Sequence, residues 1–404
     1  MGLGFAELMV RLFTPHPHYA DLVVPDAHVG YITKPGGAGR YSNRFGEFDT
    51  EIRLNHEGFR DTDHPLQKPA NMIRIAILGD SLTEAEQVEE PQTFVRRFET
   101  LLNEKPSDHG NRTIECMNFG IDGYDTQQEL LCYEYYVRKY KPDVVILAVY
   151  VHNDFQGNLF YETDEGFGRP YFKLNKGKLE KVEANMEVMQ KNYAAMLAED
   201  EDHWYRRSHL YNKAYDAINY LIERSKNKGI SAESKLDLHD PQSVEYFWSN
   251  RGYGRYHYYV DPPDDYVKRV DQITKLLMTR LKNEVQADGA LFTVVLIGTK
   301  ENFEPDKWPQ LVKKYPDLEQ WRFDWSRPFD RTAAFLPDVA AQGNILDMRP
   351  FLRKGNEEKP IAWRHDFHHT PWGNEVVARA MADWFRSTVF ASLKKQQKKS
   401  GVSR

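Results

Sequence analysis

The fold of this chain is decided by residues 72–85, which read MIRIAILGDSLTEA. The apolar run 73–78 contains one charged residue and stops at the tripeptide Gly-Asp-Ser, residues 79–81. This is typical of a buried parallel strand that delivers polar side chains at its carboxyl end, where open α/β sheets place their chemistry. Ser81 then stands near the predicted start of a helix, where outward-facing backbone N–H groups can hold negative charge. It is therefore a candidate nucleophile.

Composition limits the possible functions. The chain has 404 residues, so we expect one α/β core with additions. With 54 Lys and Arg against 60 Asp and Glu, the formal net charge is -6, which gives no basic field for a nucleic-acid partner. The two cysteines, Cys116 and Cys132, are too few for a disulfide framework or a cysteine metal site. We predict no cofactor and no metal.

Membrane attachment stays open at this stage. No stretch approaches the roughly 18 apolar residues of a membrane span, and the N-terminus lacks the basic and apolar regions of a signal peptide. The sequence as written therefore predicts a cytoplasmic protein. Apolar residues recur at helical spacing in residues 3–13. We favour a short amphipathic helix packed on the domain; the alternative is the end of a membrane anchor whose upstream part is missing, which would make the protein envelope-associated. The oligomeric state is not predicted.

Two further strands repeat the pattern of the first. Residues 113–117 lead into a glycine-rich segment that ends at Gly123, and residues 144–149 lead to Asn153. Amphipathic helices separate the strands, and Thr126 is expected to cap one of them. This βαβαβ rhythm predicts a parallel sheet covered by helices, with the three strand ends on one edge.

The rhythm also predicts the division of the chain. We expect an N-terminal arm at residues 1–70, a first core part at 71–155 and an insertion over the strand ends at 156–266. A second core part follows at 267–393 and a polar tail at 394–404.

The predicted insertion contains a hairpin at 171–179, a helix at about 210–224 and many aromatic residues. These aromatics could line a sugar or acyl pocket, but we favour a small core of the insertion itself. They are Trp204, Trp248, Tyr253, Tyr256, Tyr258 and Tyr259.

A last polar block, residues 366–373, reads DFHHTPWG and comes directly before the final predicted helix. A nucleophilic serine needs a base and an orienting carboxylate, and this block offers both. Asp366 can supply the carboxylate, and the two adjacent histidines can supply the base.

Taken together, these blocks resemble those of the SGNH (GDSL) hydrolase family. The resemblance implies a three-layer α/β/α flavodoxin-like domain with a parallel sheet. It implies that Ser81 is the nucleophile and that Asp366 and His368 complete a catalytic triad. The oxyanion donors would be the backbone N–H groups of Ser81 and Gly123 and the side-chain amide of Asn153.

The choice of histidine depends on which spacing is followed. The usual DxxH spacing favours His369, whereas the DxH form of residues 366–373, with Thr-Pro-x-Gly after it, resembles alginate and cell-wall acetylation proteins. We favour His368, because only the DxH form keeps the glycine in register. His369 stays an alternative base, and Asp80 and Asp154 are possible substrate contacts.

The resemblance implies a serine esterase that hydrolyses an acyl ester, with O-acetyl the expected group, through an acyl-enzyme. Its partner would be a small-molecule or carbohydrate ester. Alternatives are an acyltransferase that uses the same triad on a carbohydrate and an inactive binding protein of the same fold. A metal-dependent hydrolase built on His365, His368 and His369 is disfavoured.

Overall fold

The computed structural model describes residues 22–43, 45–160, 167–201, 254–304, 306–314 and 316–399. The helices predicted at 3–13 and 210–224 lie outside these ranges, as do Trp204, Trp248 and Tyr253. None of the helices in the described ranges is both long and apolar enough to cross a membrane.

Strands and helices alternate along the part of the chain that the structure describes. The strands are β1 (Val23–Asp26), β2 (Gly30–Thr33), β3 (Ala38–Ser42), β4 (Asp49–Arg53), β5 (Met72–Gly79), β6 (Thr113–Gly120), β7 (Val144–Tyr150), β8 (Tyr171–Asn175), β9 (Lys178–Val182), β10 (Leu291–Ile297) and β11 (Ile345–Asp347). The α-helices are α1 (Ser81–Glu84), α2 (Phe94–Asn103), α3 (Thr126–Cys132), α4 (Asp154–Phe160), α5 (Met186–Glu201), α6 (Gly254–His257), α7 (Asp265–Ala287), α8 (Lys300–Phe303), α9 (Lys307–Lys314), α10 (Arg327–Phe335), α11 (Pro337–Ala341), α12 (Arg349–Glu358), α13 (Pro371–Trp384) and α14 (Phe390–Lys399).

The centre of the molecule is a five-stranded sheet in the order β11-β10-β7-β5-β6, and every pairing in it is parallel. All residues of β7 and β10 are buried, which explains their uninterrupted apolar sequences: both faces of the sheet are covered. Helices α3 and α7 pack on one face and α2 and α13 on the other, in two separate cores. The predicted three-layer α/β/α architecture is therefore confirmed.

The cap of α3 differs from the prediction. Asp125, not Thr126, is the N-cap residue, with an extended backbone and a carboxylate that accepts the Gln127 N–H at 2.8 Å. A carboxylate at this place satisfies an amide that lacks a helical partner and also meets the positive end of the helix dipole. Thr126 is instead the first helical residue.

The N-terminal arm also contributes to the core. It forms two antiparallel hairpins, β1 with β2 and β3 with β4. Val29, Ile32 and Phe59 of this segment are fully or nearly fully buried in the larger core, against the α3 and α7 face. The composition of residues 1–70 concealed these contacts, because the apolar residues are isolated between turns.

Parts of the predicted insertion and tail also join the fold. The predicted hairpin is confirmed as β8 and β9, with the turn at Lys176-Gly177. Tyr258 belongs to the main core and Tyr256 to a smaller cluster with Leu318, so these rings fill interior space rather than line a pocket. Helix α14 continues to Lys399, so the first residues of the predicted polar tail are helical.

Candidate active site

Ser81 lies at the carboxyl end of β5, where the chain turns directly into α1. Gly79 permits this turn, because a Cβ atom at this position would lie 2.1 Å from the Thr83 hydroxyl. Asp80 caps the helix, and its carboxylate accepts the Leu82 N–H at 3.0 Å. As the first helical residue, Ser81 has a backbone N–H without an intrahelical acceptor.

Ser81, His368 and Asp366 form one hydrogen-bonded chain. Ser81 Oγ lies 2.7 Å from His368 Nε2, although the two residues are 287 positions apart in the sequence. His368 Nδ1 lies 2.5 Å from Asp366 Oδ1, which also accepts the His368 backbone N–H at 2.8 Å. Burial raises the pKa of Asp366, but its hydrogen bonds with His368 outweigh burial and hold the pKa below the ordinary value. Asp366 is therefore the ionised partner of the imidazole.

The residues after His368 explain why its neighbour does not face Ser81. Thr370 caps α13 by accepting the Gly373 N–H at 3.1 Å, and the helix starts at Pro371. Gly373 packs tightly: a Cβ atom there would lie 2.2 Å from the Ile361 carbonyl oxygen. His369, 4% exposed, is fixed beside this contact, and burial lowers its pKa to about 3. The alternative base is thus a neutral, interior histidine.

Two residues that sequence reasoning missed hold the loop before His368. Glu47, in the turn between β3 and β4, accepts the Arg364 backbone N–H at 2.9 Å. Lys300, at the start of α8, donates to the carbonyl oxygens of Trp363 at 2.6 Å and Asp366 at 2.8 Å. Lys300 follows a strand of the sheet, and this position in the sequence could have indicated a residue near the site. No comparable sequence feature pointed to Glu47.

The predicted oxyanion donors lie near the ends of β6 and β7. Gly123 has φ +74°, and a Cβ atom there would lie 2.8 Å from the Tyr31 hydroxyl, so a larger residue is excluded on both grounds. Burial raises the pKa of the Asp122 carboxyl group, and the hydrogen bond from the Gly123 N–H opposes part of that rise. The Asn153 side-chain amide donates to the Tyr124 carbonyl oxygen at 3.4 Å, a long bond that another acceptor can replace.

Asp122 is a further acidic residue at the site that sequence reasoning missed. Burial raises its pKa, the charge of His368 opposes this, and the charge of Asp366 adds to it. Its backbone N–H donates to the Glu84 carboxylate at 2.6 Å, and burial raises the pKa of Glu84 to about 8. Glu84 therefore holds a proton at neutral pH, which limits the negative charge around Ser81.

The two aspartates predicted as possible substrate contacts are buried. Asp80 is 0% exposed, and burial raises its pKa to about 6. Asp154 is also 0% exposed; its carboxylate accepts the Tyr150 N–H at 2.9 Å, and burial raises its pKa well above the ordinary value. In the free protein both side chains are enclosed by the strand ends, so a substrate contact by Asp80 or Asp154 stays a prediction.

The three histidines of the metal alternative have separate environments. His365 stacks on Phe45 with ring centroids 4.2 Å apart and contacts the Glu47 carboxylate, whereas His368 faces Ser81 and His369 is interior. Within the described ranges, no three His, Cys, Asp or Glu residues are grouped so that they could hold a metal ion.

A parallel α/β/α sandwich with a hydrogen-bonded Ser-His-Asp chain at the carboxyl edge of its sheet defines the class of SGNH-type hydrolase folds. Residues 263–403 match the family model described as "SGNH hydrolase-like domain, acetyltransferase AlgX". The matched segment is therefore similar to the SGNH hydrolase-like domain. The matched segment contains Asp366 and His368; Ser81, Gly123 and Asn153 precede it.

Comparison with solved structures places several esterases and lipases beside this chain. The acetyl xylan esterase AlAXEase is 13% identical, with 77% of this chain and 98% of that chain covered and a TM-score of 0.36. Axe2, an acetylxylan esterase from Geobacillus stearothermophilus, is 11% identical, with coverage of 77% and 93% and a TM-score of 0.36. A lipase/acylhydrolase from Enterococcus faecalis is 10% identical, with coverage of 78% and 96% and a TM-score of 0.35. No curated protein matches the sequence.

Proposed function

We propose that this protein is a serine-dependent enzyme that cleaves an acyl ester through an acyl-enzyme intermediate. The observation that carries the proposal is the hydrogen-bonded chain from Ser81 Oγ through His368 to Asp366, with N···O distances of 2.7 and 2.5 Å. This order of hydroxyl, imidazole and carboxylate activates a serine that would otherwise be a weak nucleophile.

The proposed reaction has two steps. In the first, His368 Nε2 takes the Ser81 proton as Oγ attacks the ester carbonyl, and then gives that proton to the departing alcohol oxygen. In the second, His368 activates water, which attacks the acyl-enzyme and releases the acid. Asp366 stays ionised and stabilises the imidazolium that forms in each step.

The negative oxygen of the tetrahedral intermediate needs hydrogen-bond donors. We assign this role to the Ser81 and Gly123 backbone N–H groups and the Asn153 amide. In the free enzyme the Gly123 N–H donates to the Asp122 carboxylate, and the Asn153 amide interacts with the Asp80 carboxylate and, at 3.4 Å, with the Tyr124 carbonyl oxygen, so both donors must exchange partners when the oxyanion forms. Loss of one such donor typically costs on the order of 10²–10³ in rate.

An acyltransferase is the second candidate function, with a carbohydrate hydroxyl in place of water in the second step. It is favoured by the family match, because the matched model is described as an acetyltransferase and its range contains the Asp366 and His368 block. The same match makes O-acetyl the acyl group we propose. Product ratios with and without an added pyranoside acceptor distinguish transfer from hydrolysis: transfer predicts an acetylated acceptor formed at the expense of free acetate.

Covalent labelling tests the nucleophile. A fluorophosphonate reagent should modify Ser81 in the folded protein, and peptide mapping should locate it there. Ser81→Ala should abolish labelling and the release of acetate from small esters, whereas Ser107→Ala, at an exposed serine, should change neither. A folded Ser81→Ala protein with the wild-type rate would remove Ser81 from the mechanism and leave a binding protein of this fold as the better description.

A further inference from the structure

The loop that carries Gly123 is hydrogen-bonded to the N-terminal arm. Tyr31, on β2, donates its hydroxyl hydrogen to the backbone carbonyl oxygen of Asp122 at 2.6 Å, across 91 positions of the sequence. In the opposite direction, the Tyr124 hydroxyl donates to the Tyr31 carbonyl oxygen at 2.7 Å. These two bonds fix the arm and the loop after β6 to each other.

The Tyr31 side chain has a defined position of its own. Its ring meets the fully buried Tyr124 ring edge to face, with centroids 5.4 Å apart, and the Arg169 guanidinium lies 4.5 Å from its ring centroid. Contacts with an aromatic ring and a cation restrict the rotation of the tyrosine side chain. The Tyr31 hydroxyl is therefore held in one place, against Gly123, where a side chain would collide with it.

The bond from Tyr31 acts on the peptide group that bears the Gly123 N–H. The carbonyl of Asp122 and the N–H of Gly123 belong to one planar trans peptide, so they point in opposite directions. The carbonyl side faces Tyr31. The N–H side faces the Asp122 carboxylate, which is near enough to His368 and Asp366 to respond to their charges. A rotation of this peptide would turn the N–H away from the triad, and the Tyr31 bond opposes that rotation.

We propose that Tyr31 is a positioning residue of the oxyanion site, whose hydroxyl orients and polarises the peptide that presents the Gly123 N–H to the tetrahedral intermediate. A hydrogen bond to a carbonyl oxygen polarises the amide and strengthens its N–H as a donor. Such donors stabilise the oxyanion because they are oriented before its charge develops. The inference rests on the proposed function, since it assigns a residue that acts in the same reaction.

Tyr31→Phe, which removes the hydroxyl and keeps the ring, tests the proposal on two substrates. p-Nitrophenyl acetate develops an oxyanion, whereas p-nitrophenyl thionoacetate develops its charge on sulfur, a weak acceptor that gains little from the donors. Release of p-nitrophenolate is measured with enzyme in excess, so that only acylation of Ser81 contributes and the slower thionoester stays measurable. Tyr31→Phe should lower the acylation rate about tenfold on the oxygen ester, less than the loss of a whole donor, and roughly twofold or less on the thionoester. The pH at which the rate is half-maximal should stay at the wild-type value, because His368 and Asp366 keep their contacts.

The matched control is Tyr133→Phe, which removes another tyrosine hydroxyl, one that donates to Asp288 at 2.7 Å before the amino end of β10. It should leave both rates at the wild-type value. Equal losses of Tyr31→Phe on the two substrates, or a displaced pH profile, would overturn the proposal and show that Tyr31 only supports the fold around Ser81. A wild-type rate of Tyr31→Phe on the oxygen ester would overturn it as well. Failure of the proposed function is a different result: wild type would then cleave neither substrate, a fluorophosphonate would leave Ser81 unlabelled, and the positioning role would be rejected with it.

Discussion

The buried ion pair of His64 should make the stability of this protein fall at alkaline pH. The His64 side chain is 7% exposed and lies between two carboxylates, with Nε2 3.0 Å from Asp61 and Nδ1 3.1 Å from Glu115. Burial by itself lowers the pKa of His64, but the hydrogen bonds to the two carboxylates outweigh it and raise the pKa from 6.5 to about 9. The ring is therefore an imidazolium that ties residues 61–64 of the arm to β6.

The rise in the pKa of His64 determines whether stability is lost at acidic or at alkaline pH. Because the pKa of His64 is higher in the folded than in the unfolded protein, its contribution to stability is complete below about pH 6.5 and disappears as the pH rises through about 9. The difference between the pKa values of 6.5 and about 9, at about 1.4 kcal/mol per pKa unit, corresponds to roughly 3 kcal/mol of unfolding free energy.

Urea unfolding followed by tryptophan fluorescence measures this contribution at pH 6.0, 8.0 and 10.0. The free-energy difference between wild type and His64→Gln should shrink by roughly 3 kcal/mol across this range, because the variant lacks the titrating ring while other groups cancel. His56→Gln, at a histidine whose side chain is 87% exposed, serves as the control. A wild-type to His64→Gln difference that stays constant from pH 6.0 to 10.0 would refute the reasoning.

Two further substitutions test the candidate site. His368→Ala should lower turnover of small esters by about 10³-fold or more, whereas His369→Ala should lower it far less, through packing. Circular dichroism verifies that both variants fold, and a larger loss for His369→Ala would assign the base to His369. Glu47→Ala should lower kcat by about tenfold with KM nearly unchanged, because the loop before His368 loses its acceptor; Glu51→Ala on β4 is the matched control, and equal effects of the two would argue against a positioning role.

The sheet could be predicted from the sequence because its strands are buried on both faces. Residues 73–78, 144–149 and 291–297 are apolar runs, interrupted only by Arg74 in the first and Thr293 in the third, and each proved to be the body of a parallel strand. The parallel order then places their carboxyl ends on one edge without any knowledge of side-chain contacts. The approach of Ser81 to His368 agrees with this topology and with the spacing from His368 to Gly373 in the first turn of α13.

The contribution of the arm could not be predicted in the same way. Its apolar residues, such as Val29, Ile32 and Phe59, are separated by turns and show neither a helical nor a strand period, although all three are buried. The ion pairs of Asp61 with Arg96 and of His64 with Glu115 join segments far apart in sequence, and no local pattern specifies such pairs. The sequence shows Phe367 only as a residue within the motif 366–373. Its exposure to solvent is known only from the folded chain.

The arm therefore belongs to the site, even though the motifs that define the family lie elsewhere. The loop that carries Asp366 and His368 is closed before α13 by an isolated bridge between Ala362 and His369, and contacts from outside the loop also hold it. Lys300 donates to two of its carbonyl oxygens, and the Glu47 carboxylate accepts two of its backbone N–H groups. Catalysis is sensitive to displacements of about 1 Å. A chain that kept every motif residue but lost the turn between β3 and β4 would keep Ser81, His368 and Asp366, but it would lose the Glu47 contacts to the loop. The segment matched by the family model includes Lys300 but not Glu47, so part of what holds this loop lies in the arm, outside the matched segment.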